Sequence, residues 1–448
     1  MPKKKTALTI EERLQQALVP AEEQPYEVPE NWVWVRLESV ASWGSGGTPS
    51  RKHEEYYNGD ILWIKTGELN NGWIYDTEEK ITDEGLKKSS AKLFPPYSVL
   101  IAMYGATIGK VAILGVPATT NQACACAVCN QSLLYMYLFY YCISQKNVFI
   151  EKGKGGAQPN ISQIILKQHP IPLPPLSEQQ RIVERIEELF AKLDEAKERL
   201  QEVADSFAVR KAAILHKAFT GELIGKKIEQ LVPLESLVDL IKIGPFGSAL
   251  HESDYIENGI PLVNPKHIVQ QHIVPQSKIS ISEEKAEELS SYRLKANDIV
   301  LGRRGEMGRC APVSAREENW ICCTGSMIIR LKEEYDARLY SLILGSQATV
   351  TYLENSAVGS TLKNLNEKIV RKIPVPQFDI EEQHEIVRLI DDLLARERSA
   401  QQATEQALAS IDLMKKSILA RAFRGELGTN KASEASALEL LKQVLAEN

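Results

Sequence analysis

Eight turn-like segments, most of which contain glycine, hold most of the side chains that could bind phosphates or base edges. Arginine and lysine pair with phosphate or guanine, and asparagine and glutamine pair with adenine. Such residues at turns predict contacts with a nucleic acid, although ordinary solvated loops have the same composition. The segments are 44–52, 64–72, 103–110, 152–160, 244–251, 263–267, 301–309 and 358–366. The candidate DNA-binding residues in them are Thr48, Ser50, Arg51, Lys65, Tyr104, Thr107, Lys110, Lys154, Gln158, Asn160, Lys266, His267, Arg303, Arg304, Arg309, Ser360, Lys363 and Asn364.

Two of these segments resemble catalytic loops only in part. The sequence "GATIGKV" (105–111) has three residues between its glycines where a phosphate-binding loop has four, and Val111 stands where a serine or threonine would bind magnesium. The sequence "VNPKH" (263–267) lacks the second proline and the aromatic residue of an amino-methyltransferase loop. We therefore predict no catalytic residue, and an enzyme with an unrecognised active site remains an alternative.

The sequence "CACAVC" brings Cys124, Cys126 and Cys129 close together. A zinc site is one interpretation, but no histidine and no second cysteine pair lie nearby. The alternation with alanine and valine favours a buried strand, so we predict no metal ligand. Seven unpatterned cysteines and the lack of an apolar run of about 20 residues favour a cytoplasmic protein without membrane spans.

A tract of the sequence is repeated at an offset of 204 residues. The hexapeptide "AFTGEL" (218–223) returns as "AFRGEL" (422–427), and "EQQRIV" (178–183) returns as "EQHEIV" (382–387). The stretches that precede the two copies match only faintly. The chain is therefore one duplicated pair of modules, each consisting of a variable block and a repeated tract.

Each repeated tract predicts a helix of more than 40 residues. Ser177 with Gln180 and Asp379 with Glu382 have the spacing of a capping box at the start of each helix. The hexapeptide glycines Gly221 and Gly425 are suited to end the helices in a left-handed conformation.

Apolar residues repeat along both helices with the alternating 4,3 spacing of a coiled coil. Glu397 and Thr404 interrupt the pattern in the second helix. We predict that the two helices pack antiparallel within the chain; the alternative is that each helix packs only on its own neighbouring domain. The predicted seam residues are Ile182, Ile186, Leu189, Leu193, Leu200, Val203, Phe207, Ile386, Ile390, Leu393, Ile411 and Ile418.

The formal net charge of −6 is concentrated on the two predicted helices. Residues 178–205 carry a net charge of −4 and residues 381–398 a net charge of −3, which leaves the rest of the chain at +1. The acidic helices are unsuited to contact phosphates, so the variable blocks are the expected nucleic-acid surface.

These features together resemble the specificity subunit of type I restriction-modification systems. The resemblance rests on "PIPLPPLSEQQRIVERIEELFAKLDE", "AFTGEL", "LVPAEEQPYEVPENWVWVRL", "GGTPS" and "ALELLKQVLAEN". It implies an α+β fold in which two globular mixed α/β target recognition domains are separated by two long helices, which form an antiparallel coiled coil with pseudo-two-fold symmetry. The implied domains are an N-terminal segment 1–28, the first recognition domain 29–174, a central helical region 175–228, the second recognition domain 229–377 and a C-terminal helical region 378–448.

The resemblance also implies partners and a non-catalytic function. Each recognition domain would read one half of a bipartite sequence in double-stranded DNA, and the helical regions would dock two modification subunits. Restriction subunits would complete the nuclease. S-adenosylmethionine, ATP and magnesium are expected on these partners and none of them on this chain. The alternative of another class is a protein-only coiled-coil scaffold.

Overall fold

The structure is a computed structural model that describes residues 9–153, 160–246, 249–356 and 364–447. The chain divides into two compact units: unit 1 comprises 1–199 and 408–448, and unit 2 comprises 200–407. The candidates Lys154, Gln158, Ser360 and Lys363 lie outside the described residues. No helix in the described ranges has both the length and the apolar composition needed to cross a bilayer.

Unit 1 contains the elements up to the middle of the first long helix, and the last part of the chain. Its strands are β1 Val33–Arg36, β2 Ala41–Ser45, β3 Tyr57–Ile64, β4 Trp73–Ile74, β5 Lys80–Ile81, β6 Val99–Ala102, β7 Val111–Leu114, β8 Thr119–Thr120, β9 Cys124–Cys129 and β10 Pro170–Leu173. Its helices are α1 Ile10–Ala17, α2 Leu37–Val40, α3 Asp83–Lys87, α4 Tyr135–Ser144, α5 Lys146–Lys152, α6 Gln163–Lys167 and the first part of α7 Leu176–Phe219.

Unit 2 contains the rest of α7 and the elements that follow it. Its strands are β11 Val232–Pro233, β12 Val238–Ile243, β13 Ile260–Val263, β14 Ile268–Val269, β15 His272–Ile273, β16 Ser280–Ile281, β17 Asp298–Gly302, β18 Cys310–Pro312, β19 Ile321–Cys322, β20 Ser326–Leu331 and β21 Pro374–Val375. Its helices are α8 Glu283–Glu288, α9 Ala337–Leu344, α10 Gln347–Ser356, α11 Glu367–Arg371 and most of α12 Ile380–Ala422, whose end belongs to unit 1 together with α13 Ala437–Glu447.

The two units share most of their strand plan. Unit 1 has a five-stranded sheet in the order β2-β9-β6-β7-β4, and unit 2 has a four-stranded sheet in the order β12-β20-β17-β18. Each unit also has a three-stranded sheet, in the order β5-β3-β8 in unit 1 and β16-β13-β19 in unit 2. In each of these sheets one pair of strands is parallel, β3 with β8 and β13 with β19. The duplication seen faintly in the variable blocks is therefore a duplication of fold.

The long helices anchor the core of each unit. In unit 1, Ile182 and Ile186 of α7 and Phe423 after α12 pack in one cluster with Tyr137 of α4. In unit 2, Ile386 and Ile390 of α12, Ala218 of α7 and Tyr340 of α9 form the corresponding cluster. The first turns of one long helix thus share a core with the last turns of the other.

A buried glutamine repeats at the start of each long helix. Gln179 donates from Nε2 to the carbonyls of Ser132 (2.9 Å) and Pro174 (3.0 Å), and its Oε1 accepts from the amide of Leu134. Gln383, which lies 204 residues later, makes the same three kinds of bond to Glu334, Phe378 and Asp336. Both side chains are fully buried. They fasten each long helix to the segment before α4 or α9.

The predicted capping is confirmed at one helix and wrong at the other. Asp379 Oδ1 accepts from the amide of Glu382 (2.9 Å), and Glu382 Oε2 accepts from the amide of Asp379 (3.1 Å), which is a capping box. Helix α7 instead begins at Leu176, so Ser177 is inside the first turn, and the Pro175 carbonyl accepts the amides of Glu178 and Gln179. The helices are 44 and 43 residues long, as predicted.

Both long helices end before a left-handed glycine, as the hexapeptides predict. The φ angle of Gly221 is 79° and that of Gly425 is 74°. A Cβ atom on Gly425 would lie 2.5 Å from Cγ of Pro29, so a larger residue would not fit there. The glycine is needed for its backbone conformation and for its lack of a side chain.

The helices pair antiparallel in each unit, as predicted. In unit 1, Lys415 pairs with Asp194 and lies 5.0 Å from the centre of the Phe190 ring, while Lys197 is 3.9 Å from Asp412. In unit 2, Glu397 is paired with Arg210 at 3.0 Å, and the Arg210 guanidinium lies over the ring of Phe207.

The polar seam residues have partners of their own. Thr404 is buried and donates its hydroxyl to the Ala400 carbonyl at 2.9 Å. The Arg210 pair likewise compensates Glu397, so the two interruptions of the seam are accommodated without an apolar replacement.

One predicted seam residue is wrong. Val203 is 40% exposed, and Ala204 beside it is half-buried. A straight helix of 3.6 residues per turn drifts by about 20° per heptad from a strict 3.5-residue repeat. After three heptads counted from Ile182, this drift turns Val203 outward.

Candidate nucleic-acid interface

The described residues of the eight turn-like segments occupy four matching places in the two units. We name them loop A (44–52 and 244–251), loop B (64–72 and 263–267), loop C (103–110 and 301–309) and loop D (152–160 and 358–366). Loops A, B and C adjoin β2 or β12, β3 or β13, and β6 or β17.

Loops C and D meet in the same way in both units. Tyr104 forms a backbone bridge with Asn160, and Arg304 forms one with Asn364. Gly105 and Gly305 follow the bridging residues with φ angles of 61° and 83°, and among the described residues no heavy atom lies within 4 Å of the place where a Cβ would stand. Tyr104 and Arg304 are exposed. Each unit therefore presents one side chain at the tip of an open glycine turn.

The residue before this tip points inward in both units. Met103 is buried in unit 1, and Arg303 takes its place in unit 2 with only 5% of its surface exposed. Arg303 donates from Nε to the Leu365 carbonyl (3.2 Å) and from Nη1 to the Thr324 carbonyl (3.4 Å). Burial, with the charge of Arg304 beside it, lowers the pKa of Arg303. The prediction that Arg303 contacts DNA is therefore wrong, because alternate residues of an extended chain face opposite sides.

Substitutions of the two adjacent arginines should have different effects, on the stability of the fold at Arg303 and on DNA binding at Arg304. Arg303→Ala should lower the free energy of unfolding by about 1–3 kcal/mol, because the buried carbonyl of Leu365 and the partly buried carbonyl of Thr324 lose their donor. Arg303→Met, which copies unit 1, should lower it less because the volume stays filled. Arg304→Ala should change it by less than about 0.5 kcal/mol but weaken DNA binding by about 1–3 kcal/mol if the arginine contacts a base. Thermal unfolding and DNA titration of the three variants measure both; weaker binding by Arg303→Met alone would contradict the assignment.

Loop B is closed by one side chain in each unit, by the half-buried Glu68 in unit 1 and by the buried His267 in unit 2. The amide of Lys65 donates to Glu68 Oε2 at 2.7 Å, and the amide of Asn264 donates to His267 Nδ1 at 3.3 Å. His267 is 1% exposed, and burial lowers its pKa. The prediction that His267 contacts DNA is wrong, since its ring closes the turn. Lys266, one residue earlier, is exposed at the tip.

Two predicted cations of unit 1 are already paired with acids. Arg51 Nη2 lies 2.7 Å from Glu79, and the guanidinium stacks 4.3 Å from the centre of the Tyr57 ring. Lys65 Nζ contacts Glu79 at 2.9 Å and Glu78 at 3.3 Å, and its hydrogen bond to Glu79 raises its pKa. Either cation would have to exchange a carboxylate for a phosphate to bind DNA.

The remaining candidates lie at the surface or near it. Thr48 donates to Gln122 at 2.5 Å, and Thr107 donates to the Tyr104 carbonyl at 2.8 Å. Arg309 is ion-paired with Glu306 and donates to the Pro265 carbonyl at 3.4 Å, which joins loop C to loop B. Ser50 and Asn160 are exposed, and Lys110 and Asn364 are half-buried.

One polar turn beside loop C was not predicted from the sequence. Gln270 and Gln271 form the turn between β14 and β15, with φ angles of 48° and 63°. They line a cleft with Gly305, Arg309 and Gln347. Two-residue hairpins of this kind usually contain Asn-Gly or Asp-Gly. The signal in the sequence was the pair of glutamines between Ile268–Val269 and Ile273.

The cysteine cluster forms strand β9, as the alternation predicts. Cys124 and Cys126 are fully buried, and burial raises the pKa of the Cys126 and Cys129 thiols to about 12. Within the described ranges, no group of three or more histidine, cysteine or acidic side chains is arranged to hold a metal ion.

Comparison with known proteins identifies the family. The sequence model of the type I restriction modification DNA specificity domain matches residues 29–205 and 235–408. The specificity subunit of the type I restriction enzyme EcoBI from Escherichia coli is 25% identical over an alignment of 465 positions, gaps included. The alignment covers 94% of this chain and 93% of that protein. The specificity subunit of MjaIX from Methanocaldococcus jannaschii is 28% identical over 295 residues, which cover 62% and 68%.

A solved structure shares the fold. The crystal structure of the HsdS subunit from Thermoanaerobacter tengcongensis superimposes with a TM-score of 0.64 at 19% identity, over 90% of this chain and all of that one. The family match spans one stretch of each unit, and each stretch holds a set of loops A to D. The chain thus belongs to the type I restriction-modification DNA specificity family and is a specificity subunit.

Proposed function

We propose that this subunit reads an asymmetric, bipartite sequence in double-stranded DNA, with one half-site for each unit. The observation that carries the proposal is that the two units share a strand plan and the positions of loops A to D, yet present different residues there. Tyr104 in unit 1 stands where unit 2 has Arg304, and Gly67 stands where it has Lys266. Equivalent scaffolds with unlike tips favour two different half-sites, in contrast to the palindrome read by a homodimer.

The long helices supply two equivalent places for the modification subunits. Val209 of α7 is 71% exposed, and Leu413 of α12, which lies 204 residues later, is 65% exposed. One small residue accompanies each of them at the same place in the repeat: Ala213 lies four residues after Val209, and Ser417 lies four residues after Leu413. An exposed aliphatic side chain beside a small residue suits close packing with a partner helix. The repetition of this pattern supports two identical partners.

The catalytic chemistry of the complex is proposed to lie on the partners. The modification subunits would supply S-adenosylmethionine and methylate adenine, and restriction subunits would use ATP and magnesium. This chain would supply only the recognition of the target sequence. It would do so in the cytoplasm, where the DNA and the partners are found.

Methylation mapping tests this proposal. The chain alone should neither methylate nor cut DNA, and expression with its modification subunits should methylate adenine in one asymmetric motif with a fixed unread spacer. Binding should weaken steeply with salt because phosphate contacts release counterions. Turnover by the chain alone would show it to be an enzyme, and the absence of salt-dependent DNA binding with intact partner binding would show it to be a protein scaffold.

A further inference from the structure

Strands β14 and β15 of unit 2 form a two-stranded ribbon with one buried and one exposed face. Ile268 pairs with Ile273, and Val269 pairs with His272. The two isoleucines are buried in a cluster with Val300, whereas Val269 is 49% exposed and His272 is exposed. The His272 ring lies 2.8 Å from the Gln270 carbonyl and braces the turn. A ribbon of two strands is one of the elements that the major groove of DNA admits.

The tip of this ribbon has free amide groups. In the described part of the chain, the structure gives neither the Gln270 nor the Gln271 side chain a hydrogen-bond partner. The matching turn of unit 1 differs: Asn71, also left-handed with a φ angle of 59°, accepts the amide of Val111 through Oδ1 at 3.2 Å. The turn amide is thus used for folding in unit 1 and is available in unit 2.

The charge of the cleft favours a base edge over a phosphate. Glu306 and Glu354 line it together with the two glutamines. Among the described residues that line it, Arg309 is the one arginine, and it is already paired with Glu306. Carboxylates repel phosphate, whereas a glutamine amide both accepts from N6 and donates to N7 of adenine.

We propose that the turn Gln270–Gln271 reads an adenine–thymine pair in the half-site of unit 2. One glutamine amide would bond the adenine edge, and the exposed Val269 would contact the methyl group of thymine. The left-handed backbone at two successive glutamines, which such residues seldom adopt, fits a turn kept for its side chains. This inference rests on the proposed function and names the second unit's specificity determinant.

The test uses glycine variants, because glycine keeps the left-handed turn and removes only the amide. Gln270→Gly and Gln271→Gly are each introduced as the sole copy in the source strain, and methylated positions are mapped across the genome. Asn258→Gly is the matched control, since Asn258 is also left-handed (φ 59°) but does not line the cleft. At least one glutamine variant should lose roughly 10- to 100-fold of its discrimination at one adenine–thymine position, while the other half-site and the control stay unchanged.

Three outcomes would overturn the inference. The motif could be unchanged in both glycine variants, the relaxed position could be a guanine–cytosine pair, or the control could relax the same position. If a glycine variant yields no methylation, Gln270→Asn and Gln271→Asn decide: their shorter amides keep the turn, and failure of both to relax an adenine–thymine position rejects the proposal. A wild-type chain without an asymmetric bipartite motif would instead reject the proposed function, so the two failures are distinguishable.

Discussion

A chain carrying both Val209→Asp and Leu413→Asp is expected to fold normally but to bind no modification subunit. Both side chains are largely exposed, so the substitutions should change the free energy of unfolding by less than about 0.5 kcal/mol. A buried aspartate at the centre of a helix interface leaves an unpaired charge, which should cost at least about 2 kcal/mol at each site, or roughly 30-fold in affinity. Each single variant should therefore bind one modification subunit in place of two. Native mass spectrometry of the reconstituted complex would count them.

Ile164→Asp is the matched control for this experiment. Ile164 is 72% exposed on α6, but the residue at the same place in the repeat is Lys368, so this aliphatic side chain occurs once. The control should keep two modification subunits. Retention of both subunits by the double variant would mean that the partners dock elsewhere on the chain.

The long helices could be predicted from sequence because their signals are local. The proline-rich starts, the apolar spacing and the hexapeptide glycines each act within a few residues of the feature that they specify. Antiparallel pairing also followed from the repeat itself. The exposure of Val203 could not be read from heptad spacing, since it depends on drift accumulated over several turns.

The loops that form the candidate surface were also predictable, because glycine turns after apolar strands mark the ends of sheet strands. The direction of each side chain was not. Arg303 and Arg304 look alike in the sequence, but one fills the place of Met103 in the core and the other stands at the tip. His267 lies in a polar turn and is buried because its ring closes that turn as Glu68 does in unit 1. Only packing distinguishes these cases.

Lengthening both long helices by one heptad is expected to lengthen the unread spacer of the DNA target. The helices are about 65 Å long at 1.5 Å per residue, more than one turn of DNA. One heptad adds about 10 Å, or roughly three base pairs. A duplicate of residues 201–207 would be inserted after Leu200, and a duplicate of residues 405–411 after Thr404. Methylation mapping would report the new spacer with both half-sites unchanged.

The structure favours these insertion points. In α7 the boundary between the units falls at Arg199 and Leu200, and in α12 it falls at Ala407 and Leu408. The pair Lys415–Asp194 of unit 1 and the pair Arg210–Glu397 of unit 2 therefore keep their own partners after the insertions. A heptad added to α12 alone puts the two helices out of register and should abolish methylation. This variant is the control that shows whether the effect requires insertions in both helices.

The helical twist of DNA should make the lengthened subunit slower at methylation. Three added base pairs turn the duplex by about 100°, since one turn takes about 10.5 pairs, whereas a heptad turns a straight helix by only about 20° from its starting phase. The lengthened subunit should therefore methylate its new target more slowly than the parent methylates the old one, because protein or DNA must twist to bring both half-sites into contact. If the bases of the half-sites changed and the spacer did not, the helices would not set the spacing. A longer spacer with unchanged half-sites would assign spacing to the helices and base choice to loops A to D.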